Sequence, residues 1–225
     1  MKKTIVAPSI LTADFLNLET QLKKFQKANI EWIHYDVMDY HFVPNLSFGP
    51  KILKDITNKF NFNMDLHLMV EIKNMSVEQY LKPFILENVK QITLHIEAIN
   101  CEQVKEFIKV CQQNQIRASL ALNPNTSIDS IKKYYSELDN ILIMSVYPGF
   151  GGQKFIDNSL EKIKALKALK QKNNYKYNVQ VDGGINQTTF MIAKNAGADI
   201  LVAGSYLVDN LSDEELIKRV REIEN

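Results

Sequence analysis

The chain contains two cysteines, Cys101 and Cys111, among 225 residues. Two thiols cannot staple a chain this long, and both fall where the spacing reads as a helix. A disulfide scaffold is excluded and a reducing cytoplasm is the expected location. Charge of one sign is equally scarce: 27 Lys+Arg against 26 Asp+Glu leave a formal net charge of +1. That balance gives neither nucleic acid nor an anionic membrane an electrostatic footprint. Long hydrophobic runs are missing too, since stretches such as Ile141–Val146 fall far short of the ~20 residues a bilayer span needs. The opening MKKTIVAPSIL is interrupted by Pro8 and Asp14 before a signal-peptide core forms. Glycine is sparse, 8 in all, and all but Gly49 lie from Gly149 onward. What remains, 45% hydrophobic and 24% charged, is the composition of an ordinary globular protein and excludes intrinsic disorder.

Strand-like and helix-like segments alternate throughout. Short apolar runs at Ile5–Ile10, Trp32–Met38, Met64–Val70, Gln91–Ile96, Ala118–Leu122, Asn140–Val146, Asn178–Asp182 and Ile200–Ala203 read as strands. The segments between them space apolar residues helically, as at Leu16–Ala28, Val104–Asn114 and Ser159–Gln171. Asp213–Asn225 reads as a charged terminal helix. No linker or low-complexity tract divides the chain, so residues 1–225 are expected to form one domain. About eight β-then-α units predict an α/β fold, a closed (β/α)8 TIM barrel rather than a doubly wound sheet. The loop after the first strand, APSILTADF, lacks the GxGxxG of a dinucleotide-binding turn.

Alternation along the strands locates candidate chemistry. If Ile33, Tyr35 and Val37 face the helices, then His34, Asp36 and Met38 face the barrel interior. The same rule turns Asp65, His67 and Met69 inward on the third strand, and Gln180 and Asp182 on the seventh. Buried carboxylates and imidazoles need partners, and in a parallel barrel reactive groups gather at the C-terminal mouth. His34, Asp36, His67 and Asp182 therefore form a candidate ligand set for one divalent cation. Nitrogen and oxygen donors together suit zinc, iron, manganese or cobalt.

The glycines supply the second element. Gly149, Gly151 and Gly152 sit in PGFGGQ, Gly183 and Gly184 follow Asp182, and Gly204 precedes Ser205. Backbone N–H groups in such turns form an anion site, and this edge of the mouth is where such barrels hold phosphate.

In order along the chain, APSILTADF, IHYDVMDYHFVPN, DLHLMV, LHIEA, MSVYPGFGGQKF, VDGG and AGS resemble the signatures of ribulose-phosphate 3-epimerases, from Ala7 to about Ser205. The resemblance implies a (β/α)8 barrel, one divalent metal at its mouth, and exchange of D-ribulose 5-phosphate with D-xylulose 5-phosphate. It assigns His34, Asp36, His67 and Asp182 to the metal, and Asp36 and Asp182 to acid/base work. It places Ser9, His67, Gly149, Phe150, Gly151, Gly152, Gly183, Gly184, Gly204 and Ser205 against the sugar phosphate, and Met38, Met69 and Met144 along the cavity. It also implies a homo-oligomer, dimer or hexamer. The motifs do not separate the pentulose from a hexulose phosphate such as D-allulose 6-phosphate. A lyase or decarboxylase on a related barrel would carry a lysine-bearing DxKxxD-type run, which is missing here. A non-catalytic sugar-phosphate-binding barrel would not need the Asp36/Asp182 pair. One departure is marked: the family has glycine between the aspartate and histidine of DVMDGHF, and this chain has Tyr40. A positive φ there would strain a tyrosine, and Tyr40 and Tyr147 together are expected to narrow the entrance.

Overall fold

Hydrophobic alternation produces two nested cores. The computed structural model describes residues 3–209 and 211–225, and among these eight strands are all parallel. They are β1 (Ile5–Pro8), β2 (Trp32–Met38), β3 (Asn63–Met69), β4 (Val89–His95), β5 (Arg117–Leu122), β6 (Asn140–Met144), β7 (Asn178–Asp182) and β8 (Ile200–Ala203). Their hydrogen-bonded order is β1-β8-β7-β6-β5-β4-β3-β2. A bridge between Ser9 and His34 brings the two ends of that order together and closes the (β/α)8 barrel.

Outward residues Ile33, Tyr35, Leu66, Leu68, Val179 and Val181 are fully buried against the helices. These are α1 (Leu18–Lys27), α2 (Pro50–Lys59), α3 (Val77–Leu81), α4 (Cys101–Gln113), α5 (Ser159–Asn173), α6 (Thr189–Ala196), α7 (Ser205–Val208) and α8 (Asp213–Glu224). The inner core is largely polar. Gln91 donates to Asp65 at 2.8 Å, and Gln180 donates to the other Asp65 oxygen at 2.5 Å. Asn140 bridges Gln180 and Ser119. This floor lies below the mouth and supports what stands on it.

Some boundaries differ from the sequence reading, each for a local reason. β1 stops at Pro8 because Ser9 caps a 3-10 turn, accepting from the Leu11 N–H at 3.2 Å. Asp14 caps a further 3-10 turn over Phe15–Asn17, so α1 starts at Leu18 and leaves Leu16 exposed. A reciprocal capping box between Asn100 and Gln103 starts α4 earlier than Val104. Both cysteines lie on α4, unpaired, Cys101 exposed and Cys111 buried. After β5 a 3-10 segment, Ile128–Tyr134, replaces an α-helix and buries Ile131 and Tyr134, three residues apart as that helix requires. Among the described residues no helix is long and apolar enough to cross a membrane.

Candidate active site and metal centre

Register sets the site. β2 and β3 align His34 with Asp65 and Asp36 with His67, and β7 ends with Asp182 beside Met144 of β6. His34 Nε2 lies 3.3 Å from both His67 Nδ1 and Asp36 Oδ1. His67 Nδ1 is 3.1 Å from Asp36 Oδ1 and 3.5 Å from Asp182 Oδ2, which is 3.7 Å from His34 Nε2. One donor atom from each of the four lies within 4.8 Å of every other.

The far side of each ring is committed elsewhere. His34 Nδ1 faces Asp65 Oδ2 at 2.7 Å, and this buried carboxylate holds the ring proton there, leaving the Nε2 lone pair for the site. His67 Nε2 faces His95 Nε2 at 2.8 Å. Two carboxylates and two imidazole nitrogens thus converge on one point, and their two negative charges match one divalent cation. The donor set fits zinc, iron, manganese or cobalt in this respect.

Electrostatics agree with that match. Burial disfavours a charged His34, yet the Asp36 and Asp65 carboxylates outweigh it and hold its pKa well above the ordinary histidine value. His67 is raised in the same way, burial being overcome by its bonds to Asp182 and Asp36. Burial pushes the Asp36 carboxyl up, but His34 and His67 prevail and hold it below the usual carboxylate range. This point in the barrel favours positive charge.

Above the cluster opens a cavity of about 410 Å³. Asp36 and Asp182 line it, while His34 and His67 are wholly buried beneath. Ser9, Met38, Met69 and Met144 contribute to its wall, and Ser9 Oγ donates to Asp36 Oδ2 at 2.6 Å. Gly149, Phe150, Gly151 and Gly152 reach it from the β6–α5 loop, Gly183 and Gly184 from the end of β7, and Gly204 and Ser205 from the end of β8. Of the residues expected to meet substrate, His67 is the one set back from the cavity. Gly184 has φ +63, and a Cβ there would lie 2.5 Å from the Phe155 backbone nitrogen, so only glycine fits this turn. Thr12, Asn186, Tyr206 and Arg219 also line the cavity. Thr12 falls inside APSILTADF, whereas no motif marks Asn186, Tyr206 and Arg219, which lie on loops and helices whose approach to the mouth is set by the fold. Asp65 was legible as an inward residue, but its role behind His34 depends on strand register.

Tyr147 lines the mouth, with its hydroxyl accepting from Asn125 Nδ2 at 2.9 Å. Tyr40 does not line the cavity: it is 66% exposed and has φ 63. Of the two tyrosines expected at the entrance, only Tyr147 lines the cavity. The loop keeps the left-handed turn that suits glycine, and the tyrosine bears the strain. A left-handed residue with a Cβ costs ~1–2 kcal/mol, partly offset by the ~0.5–1 kcal/mol of extra chain entropy a glycine loses on folding. Tyr40→Gly should therefore raise stability by about 0.5–1 kcal/mol, read as a higher denaturation midpoint with unchanged turnover. A lower midpoint would mean that the ring itself stabilises the loop.

The chain matches the model of the ribulose-phosphate 3 epimerase family over residues 5–208. It is 37% identical over 217 residues to the ribulose-phosphate 3-epimerase of Bacillus subtilis (strain 168), covering 96% of this chain and 97% of that one. With the Escherichia coli (strain K12) ribulose-phosphate 3-epimerase it shares 36% identity over 222 residues, 98% of this chain and 96% of that one. Among solved structures, a mutant tryptophan synthase alpha-subunit from Pyrococcus furiosus superposes with a TM-score of 0.69 at 16% identity, covering 99% of each chain. That likeness concerns the fold alone. The match along the chain and the near full-length identity to these relatives place the protein in the ribulose-phosphate 3-epimerase family.

Proposed function

We propose that the protein inverts the configuration at C3 of a ketose phosphate, interconverting D-ribulose 5-phosphate and D-xylulose 5-phosphate. The observation that carries this is the meeting of Asp36 and Asp182 at one cavity that is also lined by glycine turns. Inversion beside a ketone needs a proton taken from one face of the carbon and another delivered to the opposite face. Two carboxyl groups can do this without either crossing the substrate. One is ionised and the other protonated, and each turnover exchanges their states, so the reverse reaction uses the same pair in opposite roles.

His34, Asp36, His67 and Asp182 would hold the divalent cation. When bound, it supplies Lewis-acid stabilisation of the negative charge that builds on the sugar oxygens. Ser9 orients Asp36 through its 2.6 Å hydrogen bond. The turns at Gly183–Gly184 and Gly204–Ser205 offer backbone N–H groups to the phosphate, and that remote grip positions C3. Met38, Met69 and Met144 keep water from the reacting carbon. The PGFGGQ loop is tied to the loop after β2 by Asn45 Nδ2 donating to the Gly149 carbonyl at 2.7 Å. Tyr40, outside the cavity, gives no support to a longer hexulose phosphate.

Turnover of ribulose 5-phosphate in heavy water tests the reading. Xylulose 5-phosphate should form with deuterium at C3, detected by loss of the C3 proton resonance. Product that keeps its original hydrogen would rule out exchange through two carboxyls, and no product at all would leave only a binding role.

A further inference from the structure

We propose that Glu97 is a positioning residue for the metal centre, acting through His95 to dictate which nitrogen of His67 carries the proton. This rests on the reading that His34, Asp36, His67 and Asp182 hold a divalent cation. A histidine that binds a metal must present a lone pair, so its proton has to sit on the other nitrogen. For His34 the buried Asp65 carboxylate ensures this directly. Among the described residues no carboxylate touches the rear of His67. Its Nε2 meets another imidazole nitrogen, His95 Nε2, and between two such atoms the proton can belong to either ring.

The next bond removes that ambiguity. His95 Nδ1 lies 3.2 Å from Glu97 Oε2, and Glu97 Oε1 accepts the Asn123 backbone N–H at 2.8 Å. A carboxylate only accepts, so a neutral His95 carries its proton on Nδ1 and offers a lone pair at Nε2. His67 must then carry its own proton on Nε2, which leaves the Nδ1 lone pair facing His34, Asp36 and Asp182. The rings are held for this purpose: His67 and His95 have centroids 5.0 Å apart and planes 26° apart, and Phe42 packs on His95 with centroids at 4.6 Å. Both histidines are wholly buried, so no water competes for these bonds. The direction of the whole chain is decided at Glu97, two imidazoles away from the cation.

Glu97→Gln reverses this direction. The Asn123 N–H still demands an acceptor, so the amide turns its oxygen there and its NH2 toward His95. His95 then has to accept at Nδ1 and donate from Nε2, and His67 is driven to place its proton on Nδ1, where the cation would bind.

The test is the affinity of metal-free protein for Co²⁺, by chelator competition, with the visible ligand-field spectrum and the unfolding midpoint recorded for each variant. Glu97→Gln should weaken Co²⁺ binding by ~10–100-fold and alter the spectrum, with the metal-free unfolding midpoint unchanged. In a His95→Gln background, adding Glu97→Gln should cost no further affinity, because Glu97 acts only through His95. Wild-type Co²⁺ affinity in Glu97→Gln, or additive losses in the double variant, would overturn the proposal. A wild-type protein that takes up no Co²⁺ would overturn the metal reading itself, and is distinguishable because it fails in the unsubstituted chain.

Discussion

Asp182→Asn should leave the barrel folded and reduce turnover of ribulose 5-phosphate by ~1,000-fold or more, within the range that loss of a general acid/base brings. The fold is expected to survive because Asp182 closes β7 at the cavity edge, its side chain is 16% exposed, and the substitution is isosteric. The loss is large because an amide can neither take the C3 proton nor return one. The substitution also removes one of two carboxylates from the cluster around His34 and His67. Measuring metal content beside turnover separates these contributions. Retained metal with lost turnover isolates the proton-transfer role, and loss of both shows that the carboxylate also serves as a ligand. Turnover close to wild type would take Asp182 out of the mechanism.

Chelator-stripped protein should lose activity by ~100-fold or more, and zinc, iron, manganese or cobalt ions added singly should show which of them restores it. The size follows from Lewis-acid stabilisation worth several kcal/mol, at about 1.4 kcal/mol per factor of ten in rate. Stability should move in the same direction. An ion present at a hundred times its dissociation constant adds about 2.7 kcal/mol to the folded state, and a chain of this size gains ~2–4 °C in midpoint per kcal/mol. Calorimetry of stripped and reloaded protein therefore expects a rise of several degrees. Unchanged activity and midpoint after complete stripping would refute a metal-dependent site.

Much of this is legible in the sequence, for a simple reason. Parallel strands covered by helices bury both faces, so any ionisable residue in them is conspicuous, and alternation says which way it points. His34 and Asp36 are two residues apart and must share a face. His67 and Asp182 follow by the same rule on their own strands. The glycine turns were legible because glycine is otherwise so scarce here. The floor beneath the site was not, since the bond between Asp65 and Gln180 joins residues 115 positions apart, and register decides it. His95 and Glu97 lie inside the LHIEA motif, but what they do depends on which nitrogen faces which neighbour. The 3-10 segment after β5 has no signal of its own, because the β-then-α repeat predicts an α-helix there. At Tyr40 the sequence raised the right question, and only the backbone angle showed that the turn, not the side chain, prevails.

Among the described residues the barrel meets itself at β1 and β2 through a single bridge, Ser9 to His34, whereas β2 and β3 pair along their whole length. His34 and Asp36 stand on one lip of that seam, and Ser9, on the other, clasps Asp36. Asp182 reaches in from β7, on the same side as β1 in the strand order. An ion held by all four residues would consequently be a rivet across this seam of the cylinder. By thermodynamic reciprocity, whatever pries that joint apart must loosen the ion, and occupancy of the ion must stiffen the joint by the same free energy.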